Sequence, residues 1–165
     1  MATRNSDGLW IAYGVDQADL GLAGEVDVAG ALHTNEYLIE YGNGLPTNAA
    51  GETMLGGRPQ ANAVVPANAT IVEATFYVET AFAGATATLT FGMIQEDDST
   101  AIDADGIDAT IAVTAIDAVG DIVACDGALV GASVGAADGY LTVTTATADF
   151  TAGKGRLVVK YIVTE

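Results

Sequence analysis

The chain has 165 residues and 16.6 kDa, enough for one domain whose single core needs no covalent staple. Half of it is hydrophobic but only 7% is aromatic, and 22 acids against 5 bases leave a formal net charge of -17. That charge opposes phosphate backbones and anionic lipid headgroups, so neither a nucleic acid nor a membrane is an expected partner. No apolar run approaches the ~20 residues of a membrane span. One cysteine, Cys125, excludes an intrachain disulfide, and no basic-then-apolar stretch opens the chain. The expectation is a protein made and kept in the cytosol, or released by lysis.

Residues 1–66 are rich in glycine and turn signals, with punctuation at Gly42-Asn43-Gly44, Pro46, Gly56-Gly57, Pro59 and Pro66. They read as an N-terminal arm and loop region containing two short strands, at 9–13 and 32–41. Residues 67–165 read as the core. In residues 71–80, Val72, Ala74, Phe76 and Val78 alternate with Glu73, Thr75, Tyr77 and Glu79, the period of a half-buried strand. After Ala83-Gly84, a second run sets Ala87, Leu89, Phe91 and Met93 against Thr86, Thr88 and Thr90, so the two runs suggest a hairpin-like pair.

Residues 107–119 are ambiguous. Ile107, Ile111, Ala115 and Val119 keep a spacing of four, with Asp108 placed to cap and Gly120 to stop a short helix, while Ile111 and Val113 suit a strand equally. The helix or turn is the reading taken, lying over a sheet edge. Near the end, Leu141, Val143 and Thr145 alternate with Thr142 and Thr144; a Gly153-Lys154-Gly155 turn follows, then Leu157, Val159, Tyr161 and Val163 facing one way. Several short strands with Gly and Asp turns predict an all-β protein: a jelly-roll-like antiparallel β-sandwich with an extended, loop-rich arm and at most one short helix.

Catalytic material is scarce. His33 is the single histidine and Cys125 the single thiol, in different parts of the chain, and structural roles are expected for both. Gly131-Ala132-Ser133-Val134-Gly135 matches G-x-S-x-G, but no histidine follows it and the strand–elbow–helix context is missing. No enzymatic activity is expected. Glu96-Asp97-Asp98 and Asp103-Ala104-Asp105-Gly106-Ile107-Asp108 place six carboxylates within 13 residues, and hard oxygen ligands at that density suit Ca²⁺. The candidate metal residues are Asp103, Asp105 and Asp108, although Thr114 stands where an EF-hand loop carries its bidentate glutamate. Aspartates bonding their own backbone in Asp-Gly turns account for the same letters.

Charge is distributed unevenly: no Lys or Arg occurs between Arg58 and Lys154. Three of the five bases lie in the last strand region, where Arg156, Val158, Lys160 and Ile162 share the side opposite Leu157, Val159 and Tyr161. These four residues are the candidate subunit interface, available to an acidic neighbour such as another copy of the chain. The alternative is that Val158 and Ile162 are covered by a second sheet or by the arm.

Val65-Pro66-Ala67-Asn68-Ala69-Thr70-Ile71-Val72, Ala124-Cys125-Asp126-Gly127 and Phe150-Thr151-Ala152-Gly153-Lys154-Gly155-Arg156-Leu157-Val158-Val159 together resemble small virion structural proteins of tailed bacteriophages, over residues 64–163. The opening Ala2-Thr3-Arg4-Asn5-Ser6-Asp7-Gly8-Leu9-Trp10 is similar to the start of such proteins that carry a short arm. The resemblance implies a capsid decoration, cement or head-fibre subunit on the particle exterior, assembled in host cytoplasm as a homotrimer. Its partners would be the major capsid protein or another virion protein. A carbohydrate- or cell-surface-binding β-sandwich is the other class kept open, although Trp10, Tyr13, Tyr37, Tyr41, Tyr77 and Tyr140 are scattered rather than paired.

Overall fold

Period-two alternation of apolar with Thr and Glu side chains runs through most of the chain, and the chain answers with strands. A computed structural model describes residues 2–4, 10–12, 32–42, 44–45, 50–55, 64–95 and 100–163. Its strands are β1 (Ala2–Arg4), β2 (Trp10–Ala12), β3 (Leu32–Tyr41), β4 (Gly44–Leu45), β5 (Ala50–Leu55), β6 (Val64–Val65), β7 (Ala69–Gly84), β8 (Thr88–Gln95), β9 (Ala101–Ala112), β10 (Ile122–Ala124), β11 (Gly139–Ala146) and β12 (Phe150–Val163). Glu96, Asp97 and Asp98 lie outside the described residues, as do Leu9 and Tyr13 of the strand expected at 9–13, whose described part is β2.

Among the described residues, β1 and β2 pair only with each other. The remaining strands form two sheets: β10-β7-β12-β3-β4, and β5-β11-β8-β9 with β6 also paired to β11. Among the described residues, the two-residue contact of β3 with β4 is parallel, as is an isolated bridge between Ile71 and Val130, and every other strand pairing is antiparallel. If β3, β5, β7, β8, β9, β10, β11 and β12 are taken as the principal strands, the first pairs with the last, the second with the seventh, the third with the sixth, and the middle two with each other. That is one long hairpin, its tip at β8–β9, wound so that its halves fill two facing sheets: the jelly-roll order. The sandwich draws β3, β4, β5 and β6 from the segment before residue 66 and the rest from residues 67–165.

Winding explains where the expected hairpins fail. β7 and β8 are consecutive and share apolar alternation, yet they lie in opposite sheets, as do β11 and β12. Their apolar sides meet across the core instead of lining up side by side. Phe76 of β7 packs on Phe91 of β8 with ring centroids 5.2 Å apart, and within the first sheet Phe82 of β7 packs edge-on against Phe150 of β12 at 5.7 Å. Truncating any one of these rings would cost about 3–5 kcal/mol.

Three local expectations are also corrected. Gly153-Lys154-Gly155 is not a turn; it lies inside β12. Gly153 and Gly155 leave room for aromatic rings pressed on the strand, because a Cβ at Gly153 would collide with the Phe82 ring and one at Gly155 with the Phe76 ring. Residues 107–112 are strand, not helix, and only the single 3-10 turn Val113–Ala115 follows. A spacing of four is even, so Ile107 and Ile111 share a strand side as readily as a helix side, and both are buried in the core. On β7, residues 71 and 73 face 161 and 160 of β12, so Val72 is the extra residue of a bulge and is exposed, while Ile71 takes the core position.

Candidate functional site

The interface residues proposed from sequence lie on the outer side of β12, the central strand of the first sheet. Register sets their neighbours. Arg156 stands between Leu38 of β3 and Tyr77 of β7, with Ile122 of β10 beyond; Val158 stands between Glu36 and Thr75; Lys160 between Thr34 and Glu73; Ile162 between Leu32 and Thr70. Arg156 Nη1 donates to Glu36 Oε2 at 2.6 Å and Nη2 lies 3.1 Å from Glu79 Oε1. Lys154 Nζ lies 3.2 Å from Glu79 Oε2, and Lys160 Nζ lies 3.0 Å from Glu73 Oε2. The three bases expected to await an acidic neighbour are therefore each paired with acids of their own sheet. Val158 and Ile162 are half-buried.

These pairs shift the groups that make them. The Lys160 ammonium, and then the Thr75 hydroxyl, hold the Glu73 carboxyl below the usual glutamate value; Lys154 and Arg156 do the same for Glu79. Hydrogen bonds to Glu36 and Glu79 raise the Arg156 guanidinium further. The acids Glu36, Glu73 and Glu79 were not singled out from sequence. Their outward positions could be read from the alternation, but which base each would meet depends on strand register.

The three aspartates suggested for calcium are not gathered at a common point. β9 carries a wide bulge: residues 91 and 93 of β8 face 108 and 103 of β9. Asp103 Oδ1 accepts the Asp105 N–H at 3.3 Å, the Asx turn that competes with metal binding for such a sequence. Asp108 is buried, accepts the Thr110 N–H at 3.1 Å and receives the Cys125 thiol. Among the described residues, no three His, Cys, Asp or Glu side chains are placed to hold a metal ion.

Burial pushes the Asp108 carboxyl up, and burial, followed by the charge of Asp108, pushes the Cys125 thiol up to about 12. A thiol so protonated is a poor nucleophile. His33 stacks on Tyr161 at 5.4 Å, and β12 and β7 separate its strand from β10, which Cys125 follows. Ser133 of the G-x-S-x-G fragment sits in a turn with Gly131 and Gly135 at positive φ, and its Oγ accepts the Gly135 N–H at 3.2 Å. No helix follows to make an elbow.

The outer side of the second sheet differs. Thr90 stands opposite Thr144, Thr88 opposite Ala146, Gly92 opposite Thr142 and Ile94 opposite Tyr140, and neither β8 nor β11 contains a charged residue. The β9 bulge lies over Gly92, where an added Cβ would meet the Ala104 backbone. Among the described residues, no helix is long and apolar enough to cross a membrane.

No protein-family model and no curated protein matches the chain. Among solved structures, a chain of the cyanophage Pam1 capsid asymmetric unit shares the fold with a TM-score of 0.57 at 13% identity, over 91% of this chain and 98% of that one. A chain of the capsid of Ralstonia phage GP4 does so with a TM-score of 0.54 at 20% identity, over 89% of this chain and 94% of that one. This is a fold carried by phage capsid chains. The likeness takes in nearly the whole of both neighbours, so they are chains of similar length and not large proteins that happen to contain a similar module.

Proposed function

We propose that the chain is a non-enzymatic structural subunit of a bacteriophage virion: a capsid decoration or cement subunit, or a head-fibre subunit. In this reading it sits on the exterior, held by the major capsid protein or another virion protein, and self-associates as a homotrimer. The observation that carries it is the near end-to-end likeness of fold to capsid chains of two phages. Charge supports the exterior position, because a particle at -17 placed on the inner wall would face packaged DNA phosphates. The buried, unpaired Cys125 suits assembly in a reducing host cytoplasm. The loop-rich region 1–66 is the candidate docking arm in this account, although it also supplies β3, β4, β5 and β6 to the sandwich.

Co-sedimentation of the purified chain with bare shells of the phage that encodes it tests the reading. Saturable binding is expected, at a fixed ratio to the shell subunits. Absence of binding, together with specific retention on a glycan array, would move the assignment to a carbohydrate-binding surface module.

A further inference from the structure

Every large hydrophobic residue left exposed among the described residues lies on the first sheet or in the turn leading into β10: Leu32, Tyr41, Val72, Tyr77, Val119 and Ile122. On the outer side stand Leu32 (59% exposed), Tyr77 (39%) and Ile122 (63%), with Leu38, Val158 and Ile162 half-buried between them. The same side carries Glu36, Glu40, Glu73 and Glu79 against Lys154, Arg156 and Lys160, one charge short of neutral. Of the chain's 22 acids and 5 bases, these four acids and three bases leave 18 acids accompanied only by Arg4 and Arg58.

We infer that the outer side of the first sheet is the contact between copies of the chain. Two particles of like charge repel over most of their surfaces. They approach most easily where the charges are already neutralised within each copy, and here that region is also where apolar area remains to be buried. The Glu36–Arg156–Glu79 and Glu73–Lys160 pairs stay within one copy, so the contact needs no exchange of ion pairs. The acidic remainder still repels, and screening by salt strengthens the association rather than weakening it.

Area is sufficient. Three strands at ~4.8 Å spacing and ten residues at ~3.4 Å, with the short β10 beside them, make about 540 Å² per copy, or about 1,100 Å² for a pair, just above the ~1,000 Å² that a specific interface needs. The inference deepens the proposed self-association and rests on that reading for its place in a virion, but its test needs only the chain in solution.

The test is light-scattering mass of the purified full chain against concentration, at low and high salt, for the wild type and for Leu32→Glu, Ile122→Glu and Thr86→Glu. Circular dichroism verifies that each variant is folded. The wild type is expected to be oligomeric, more so at high salt. Leu32→Glu and Ile122→Glu should each raise the dissociation constant more than about tenfold. Thr86→Glu, in the exposed β7–β8 connection, should leave it unchanged. The salt response of the wild type stands independently of any variant.

A monomer at every concentration overturns the inference, as does an oligomer indifferent to both sheet variants or one dissolved by salt. A monomer that loses shell binding in Ile122→Glu would assign this side to the shell instead. Self-association without shell binding would sink the virion reading and leave this inference standing.

Discussion

On the second sheet, Thr88 and Thr90 of β8 stand beside Ala146 and Thr144 of β11 without a charge on either strand; on the first, β12 carries three of the five bases and β3 and β7 answer them with glutamates. Both sheets turn equally apolar sides inward, with Phe91 and Leu141 from one and Phe76 and Leu157 from the other fully buried. The difference lies entirely outward. One side has two uncharged central strands, β8 and β11, with the β9 bulge lying over Gly92; the other keeps its exposed apolar residues around a ladder of ion pairs. Burying a sheet side is a requirement of folding, whereas an outer side left partly apolar and nearly neutral in a chain at -17 is what the inferred contact between copies would use.

The largest expected effect breaks the bulged side. Gly92→Ala drives a Cβ into the Ala104 backbone, which cannot swing away as a side chain would, and should cost about 3 kcal/mol in denaturant unfolding. A loss under about 1 kcal/mol would mean that the bulge is not packed there. Next is Thr90→Ala on the same side: Thr90 Oγ1 donates to the Ala109 carbonyl at 2.8 Å, and removing it should cost about 1 kcal/mol.

Acid separates the ion-pair ladder from the buried carboxyl, with opposite signs. Glu73 and Glu79 are lowered by their bases, so the stability they contribute is in place above the ordinary glutamate value of 4.5 and is lost as pH falls below it. Asp108 is raised by burial, so its contribution is fully present only below the ordinary aspartate value of 3.8 and is lost as pH rises through its elevated value. Asp108→Asn should therefore unfold at a higher temperature than the wild type at neutral pH, an advantage that disappears below pH 3.8. The smallest effect is Arg156→Gln, which leaves Glu36 and Glu79 without their shared base. Because that arginine is exposed, the stability lost should be slight and should shrink further at high salt.

Much of this architecture was legible. Alternation picked out Leu89, Phe91 and Met93, and Leu157, Val159 and Tyr161, as inward-facing, and the jelly-roll-like sandwich followed from it. Pairing was not legible, because a period of two tells which side of a strand is apolar and nothing about which strand lies beside it. β7 and β8, adjacent in sequence and matched in pattern, ended in different sheets. Gly153 and Gly155 read as turn residues because the rings of Phe76 and Phe82 that require their small size are distant in sequence. The bases of β12 were visible from the start. Their engagement with Glu36, Glu73 and Glu79 depends on register, which turned an apparently basic strand into the middle of a nearly neutral, partly apolar sheet side.

Electron microscopy of the intact virion tests the central claim most directly. The account predicts density fitting this sandwich on the outside of the capsid, with the first sheet turned toward neighbouring copies. Density on the inner wall against DNA, or a particle without the chain, would contradict it.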